Sequence, residues 1–173
     1  MSDVHTQTLE GLAAGDGISE MKGKFLTFWT DQQLFGVPIA DVVQIVGMQN
    51  VTEIPEFPSF AKGIINLRGS IIPVIDVRLR FGKPEKEYDE RTCIIVTNID
   101  DALMGFVVDS VDSVTDIDDE RISPPPKLSG GQERDYLTGI AKLENTVVLL
   151  ISTTKLLGSD ELAVITNAIV EES

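Results

Sequence analysis

The 173-residue sequence predicts a mainly β protein made of two small barrel units. Three observations carry that reading. Short apolar runs rich in Val, Ile and Phe alternate with clusters of Gly, Pro, Asn and Asp, the pattern of short strands joined by turns. Residues 63–78 form the clearest hairpin, two β-branched arms around a polar corner containing Asn66, Arg68, Gly69 and Ser70. The two halves of the chain also repeat one another. Gly36 answers Gly105, Ile39 answers Val108, Val42 answers Val111 and Ile45 answers Val114. Further on, Gly63 answers Gly139, Leu67 answers Leu143, and Ile71 with Ile72 answers Val147 with Val148. The offset rises from 69 to 76 residues because the proline-bearing loop of the second copy is longer. Two copies are too few for a solenoid, and about five short strands in each suit a small barrel.

Taken in order, residues 1–22 are polar and aperiodic, as expected for a mobile N-terminal tail. Residues 24–30 alternate apolar and polar side chains, Asp31 and Gln32 supply a turn, and residues 34–39 return as a second strand. Ile39, Val42 and Ile45 then recur every three residues, which allows a helical turn running on into a strand. Pro55 and Pro58 mark a loop. The hairpin follows, with Gly69 free to adopt a positive φ at its corner. Pro73 has no N–H to donate, so its strand is expected at a sheet edge or bent there. Residues 83–91 are charged and read as a crossing between units. Strands at 92–98 and 103–108 flank a turn at Asp100 and Asp101. Val111, Val114 and Ile117 repeat the three-residue spacing, and a long loop and a last hairpin, residues 139–151, follow. Ser159 is suited to cap a final helix lined by Leu162, Ile165 and Ile169. The expected organisation is a tail at 1–22, a first unit at about 23–84, a second at about 85–158, and a helix at about 159–171 packing on the barrels.

The net charge of −14 argues against nucleic acid and against an anionic membrane surface, because both need clustered Lys and Arg. The charge is uneven. Residues 23–84 carry six basic and five acidic side chains, whereas residues 85–173 carry seven and nineteen. No apolar run approaches a membrane span, and the N-terminus has no basic-then-apolar signal, so a cytoplasmic protein is expected. The lone Cys93 lies in an apolar strand and reads as a small hydrophobe.

Nothing in the sequence supplies catalytic machinery. His5 is the only histidine and lies in the tail. Asp116, Asp118 and Glu120 resemble the start of a calcium loop but lack its glycine and its terminal Glu. Phosphate-cradling loops, zinc motifs and nucleophile elbows are absent. No metal and no cofactor are expected. The repeat does isolate one difference: the first corner carries Arg68 where the second carries Glu144. A fold indifferent to that charge leaves Arg68 for an interaction, the alternative being a local carboxylate partner. Two barrels side by side would also leave a groove. Ile39, Val42, Val108 and Val111 are its candidate lining, with a place in the core as the alternative for each.

The run from Gly63 to Gly69, with Ile72, Pro73, Val74, Ile75, Asp76, Val77 and Arg78, resembles the signature of the CheW family of bacterial chemotaxis coupling proteins. The similarity extends over roughly residues 24–165 and includes residues 105–109 and 136–139. The resemblance implies two SH3-like five-stranded barrels and no catalysis. It implies two partners, the regulatory domain of the histidine kinase CheA and the cytoplasmic tip of a chemoreceptor. Arg68 matches the family's functional arginine, with Gly63, Asn66, Gly69 and Gln44 beside it in kinase binding and coupling. Ile39, Val42, Val108 and Val111 match receptor-contacting positions. Gln44 departs from relatives that carry an acidic residue there. The same resemblance implies recruitment to receptor arrays at the inner face of the membrane, with rings or arrays permitted by two faces on one body. A CheV-type or non-chemotaxis kinase pathway is the rival setting, although the chain leaves no room for a receiver domain.

Overall fold

The protein is described from a computed structural model, which covers residues 22–125, 136–157, 161 and 163–167. Among these, eleven strands form two sheets. The strands are β1 (Lys24–Thr30), β2 (Gln33–Pro38), β3 (Val42–Gly47), β4 (Ala61–Leu67), β5 (Ser70–Asp76) and β6 (Cys93–Ile99). They continue as β7 (Ala102–Val108), β8 (Ser110–Asp116), β9 (Ile122–Ser123), β10 (Leu137–Leu143) and β11 (Thr146–Ile151). Short helices α1 (Val77–Arg80) and α2 (Thr153–Leu156) follow β5 and β11. The expected tail lies outside the described residues except for Lys22. So do Ser159, Leu162 and Ile169 of the expected last helix, whereas residues 163–167 are helical and Ile165 is fully buried.

One sheet runs β3-β6-β7-β5-β4 and the other β8-β1-β2-β11-β10-β9. Matched through the repeat, β1 answers β6, β2 answers β7, β3 answers β8, β4 answers β10 and β5 answers β11. The two orders are then the same order, save for the short β9. Each sheet, however, takes its first hairpin from the other half of the chain. The boundary expected near residue 84 therefore does not divide the sheets. The exchange is made by two parallel pairings, β5 with β7 and β11 with β2. Gly105 sits opposite Val74 in one and Gly36 opposite Leu150 in the other. A Cβ at Gly36 would come within 3.0 Å of Leu150 Cδ2, and one at Gly105 within 2.8 Å of Ile94 Cγ2. At Gly36 the near side chains, Leu150 and Val148, come from the other half of the chain, whereas at Gly105 the nearest, Ile94, comes from the same half.

The core has three parts. Ile65, Ile72, Val74, Ile94, Val96 and Val107 fill the sheet containing Arg68. Leu34, Ile117, Ala141, Val148 and Leu150 fill the other. The largest cluster joins both, with Leu26, Phe28, Phe35 and Val37 meeting Ile75, Ile95, Phe106 and Val108. Burying such side chains contributes roughly 1.5–3 kcal/mol each.

One local expectation is met and one is corrected. The helical turn expected from Ile39 is a 3-10 turn at Ile39–Asp41, and the chain runs on from it into β3. Val42 pairs with Thr97 and Gln44 with Val96, so Val43 is an extra residue in a bulge. The equivalent bulge in β8 is Asp112, between Val111 opposite Phe28 and Ser113 opposite Thr27. One extra residue returns positions three apart to the same face. Pro73 lies in an inner strand, because β5 runs between β7 and β4. Its pairing with β7 starts only at Val74, so the missing N–H falls just outside that ladder.

Candidate functional site

The β4–β5 corner is built by its own backbone. Leu67 pairs with Ser70, which leaves Arg68 and Gly69 as a two-residue loop. Their φ values, +53° and +89°, are those of a type I′ turn, whose twist suits a hairpin. Asn66 pins it by accepting a 2.9 Å hydrogen bond at Oδ1 from the Gly69 N–H. Arg68 is exposed, and among the described residues it makes no ion pair or side-chain hydrogen bond. A left-handed backbone at a non-glycine residue costs about 1 kcal/mol, so turn geometry does not select an arginine here. Ile71 stands beside the corner, 43% exposed.

The other residues of this group are supports rather than surface. Gly63 is buried with φ +141°, and a Cβ there would overlap the Thr52 carbonyl. It exists to admit the bridge in which Thr52 and Ile64 exchange hydrogen bonds of 2.8 and 2.9 Å. Gln44 is half-buried in the edge strand β3, opposite Val96.

Of the four groove candidates, Ile39 and Val108 are 1% exposed and Val42 9%, all three within the central cluster. For these three the core placement, held open beside the groove for each candidate, is the one seen. Ile39 and Val108 occupy equivalent positions just before β3 and β8, where the two sheets close on each other. Val111 alone is half-exposed, packed against the same cluster. Val43, 49% exposed on the neighbouring bulge, is a surface position that the spacing did not single out. Burial pushes the nearby Asp41 carboxyl above its ordinary pKa.

Arg78, the last residue of the signature run, ties the halves together. Its Nη2 lies 3.3 Å from Asp31 Oδ1, its Nε 3.1 Å from Asp109 Oδ1, and Nη1 donates to the Pro84 carbonyl. Asp109 also accepts from the Asp31 N–H at 2.9 Å. The clasp therefore fixes the β1–β2 turn, the β7–β8 junction and the crossing segment to one guanidinium. On the other side of that segment, Tyr88 donates a 2.6 Å hydrogen bond to the buried Asp76, which also caps α1. Cys93 is half-buried, its thiol donating to the Arg91 carbonyl. Among the described residues no three His, Cys, Asp or Glu side chains gather to hold a metal, and no helix is long and apolar enough to cross a membrane.

An exposed cation on a pinned hairpin is carried by a duplicated pair of strand-exchanged sheets, a mainly β scaffold. The chain belongs to the CheW-like domain family, whose model matches residues 24–161. It is 37% identical over 154 residues to the chemotaxis protein CheW of Klebsiella aerogenes, covering 89% of this chain and 91% of that protein. It is 27% identical over 167 residues to CheW of Treponema pallidum, covering 94% and 98%. Among solved structures, the scaffolding protein TtCheW of Thermoanaerobacter tengcongensis matches with a TM-score of 0.73 at 36% identity, over 80% of this chain and 94% of that one.

Proposed function

We propose that this chain is a non-catalytic, cytoplasmic chemotaxis adaptor that couples chemoreceptor cytoplasmic tips to the histidine kinase CheA. The observation that carries the reading is Arg68, an exposed cation, unpaired among the described residues, held in a left-handed turn that its own side chain does not favour. Arg68 is the anchor for the kinase's regulatory domain. Asn66, Gly69 and Gly63 hold it in place from behind, and Gln44 stands on the edge strand of the same sheet. The receptor tip contacts the β3–β8 side through Val111, with Val42 at its buried margin and Ile39 and Val108 supporting it from the core.

Coupling of this kind works by differential contact. A rigid adaptor favours one kinase conformation over another only as far as its contacts differ between them. The sheet exchange and the Arg78 clasp supply rigidity, because moving one sheet disturbs strands from both halves. The two equivalent corners also carry opposite charges, Arg68 beside Ile71 and Glu144 beside Val147, with both aliphatic residues 43% exposed. Unlike corners on one body suit head-to-tail assembly into rings or arrays at the receptors.

The test is a titration of the folded chain against a CheA regulatory domain and, separately, a receptor cytoplasmic fragment. Binding to both, with Arg68→Ala weakening only the first and Val111→Glu only the second, is the expected result. Binding to neither by a well-folded protein would overturn the reading.

A further inference from the structure

Among the described residues, three hairpin turns have positive φ at both of their two residues. They are Asp31 with Gln32, Arg68 with Gly69, and Asp100 with Asp101. The last two are closed alike. Asn98 Oδ1 accepts a 3.0 Å hydrogen bond from the Asp101 N–H, as Asn66 Oδ1 does from the Gly69 N–H at 2.9 Å. They also stand at one end of the same sheet, because β5 and β7 are neighbours and run parallel. The register that pairs Val74 with Gly105, carried back along both strands, sets Ile71 level with Ala102 and brings the two turns side by side.

The two turns carry opposite charges that do not neutralise each other. Arg68, Asp100 and Asp101 are all exposed, and among the described residues none of their side chains makes an ion pair or a hydrogen bond. The repeat shows the same carboxylate put to internal use. Asp31 answers Asp100, and its oxygens lie 3.3 Å from Arg78 Nη2 and 3.5 Å from Lys83 Nζ. Asp100 has no such clasp, because Thr154 stands where Arg78 does in the first half. One end of the sheet therefore presents a cation, the exposed aliphatic Ile71 and two anions.

We propose that the β6–β7 turn belongs, with Arg68 and Ile71, to the surface that takes the kinase regulatory domain. The partner then carries an acidic side chain for Arg68, an apolar contact for Ile71 and a basic side chain for Asp100 and Asp101. The inference rests on the reading of Arg68 as the kinase contact. It adds that the contact draws on both halves of the chain, Arg68 and Ile71 from the first and Asp100 and Asp101 from the second. It also adds direction. Arg68 alone would accept an acidic surface in any rotation, whereas neighbouring turns of opposite charge admit one, because the reversed pose sets like charges together. Exposed charges of this kind act chiefly on the rate of encounter and its salt dependence.

The experiment follows association of the full-length chain with a CheA regulatory domain, comparing the parent, Arg68→Ala, and Asp100→Asn combined with Asp101→Asn. Asparagine accepts positive φ at least as readily as aspartate, so the turn should stay closed and melting should not fall. Asp100→Gly with Asp101→Gly is the second variant should the asparagines disturb the turn. The asparagine variant should associate about tenfold more slowly at low ionic strength, and the difference should shrink as salt is raised. Parent-like rates for it, with Arg68→Ala weakened, would overturn this inference and leave the reading of Arg68 standing. Faster association would overturn it too, since the partner would then be acidic throughout and the turn would repel it. A parent that does not bind the kinase domain, or that self-associates through this surface instead, would overturn both.

Discussion

The corner at Arg68 and the corner at Glu144 descend from the same hairpin and have been built differently. Both leave two residues between paired strands, Leu67 with Ser70 and Leu143 with Thr146. At the first, Arg68 and Gly69 both have positive φ and Asn66 closes the turn. At the second, neither Glu144 nor Asn145 has positive φ, and Lys142 stands where Asn66 does. Behind each lies a glycine at a register shift, Gly63 against the Thr52 backbone and Gly139 against the Ile122 side chain. The barrel therefore accepts either corner. The difference teaches that the first corner holds an exposed cation on a left-handed turn closed by a side chain, where the second holds an exposed anion on an ordinary turn.

The largest effect that breaks the comparison is at those glycines. Gly63→Ala meets backbone and an unfavourable φ together, so it should cost about 3 kcal/mol or more, enough to unfold much of the protein. Gly139→Ala meets a side-chain methyl at 2.7 Å, which can shift, and should cost less than half as much. Thermal melting of the two variants reads both. Equal losses would mean that the two bulges are equivalent.

Arg68→Gly should separate folding from function. It relieves the left-handed strain, so stability should stay the same or rise by up to about 1 kcal/mol in denaturant unfolding. Kinase binding should nevertheless fall. A drop in stability would place Arg68 among the structural residues.

Smaller effects come from the caps. Asp76 and Ser152 are equivalent and both cap short helices, but only Asp76 also accepts a bond from Tyr88. Burial and the Asp76 carboxylate raise the Tyr88 phenol's pKa above its ordinary value of about 10. A raised folded pKa means that this contribution is intact below pH 10 and is lost as pH rises above it. Tyr88→Phe should therefore flatten the alkaline limb of the stability profile, measured between pH 8 and about 11. Near α2, Thr153 Oγ1 is buried without a partner among the described residues. Thr153→Val should then raise stability by about 1 kcal/mol, whereas Thr97→Val, which loses a hydrogen bond to the Met104 carbonyl, should lower it.

Much of this comparison was legible in the sequence. The repeat, the hairpin bounds within a residue or two, and the difference between Arg68 and Glu144 could all be read from residue types and spacing. The strand exchange could not. It depends on parallel pairings between β5 and β7 and between β11 and β2, and nothing local in a strand names its lateral neighbour. The bulges at Val43 and Asp112 hid behind a three-residue spacing shared with helices. Burial was the other gap. Ile39 and Val108 have the same chemistry in a core as in a groove, and only the closure of the sheets over them decides which. Gly63 read as a signature residue without a reason until the Thr52 backbone was found against it.

The most direct test of the central claim compares Arg68→Ala with Glu144→Ala in one titration against a CheA regulatory domain. Both variants should melt within about 2 °C of the parent, as surface changes of under 0.5 kcal/mol do. The account predicts at least a tenfold loss of affinity for Arg68→Ala and no loss for Glu144→Ala. Equal affinities for both, with the parent binding, would contradict it.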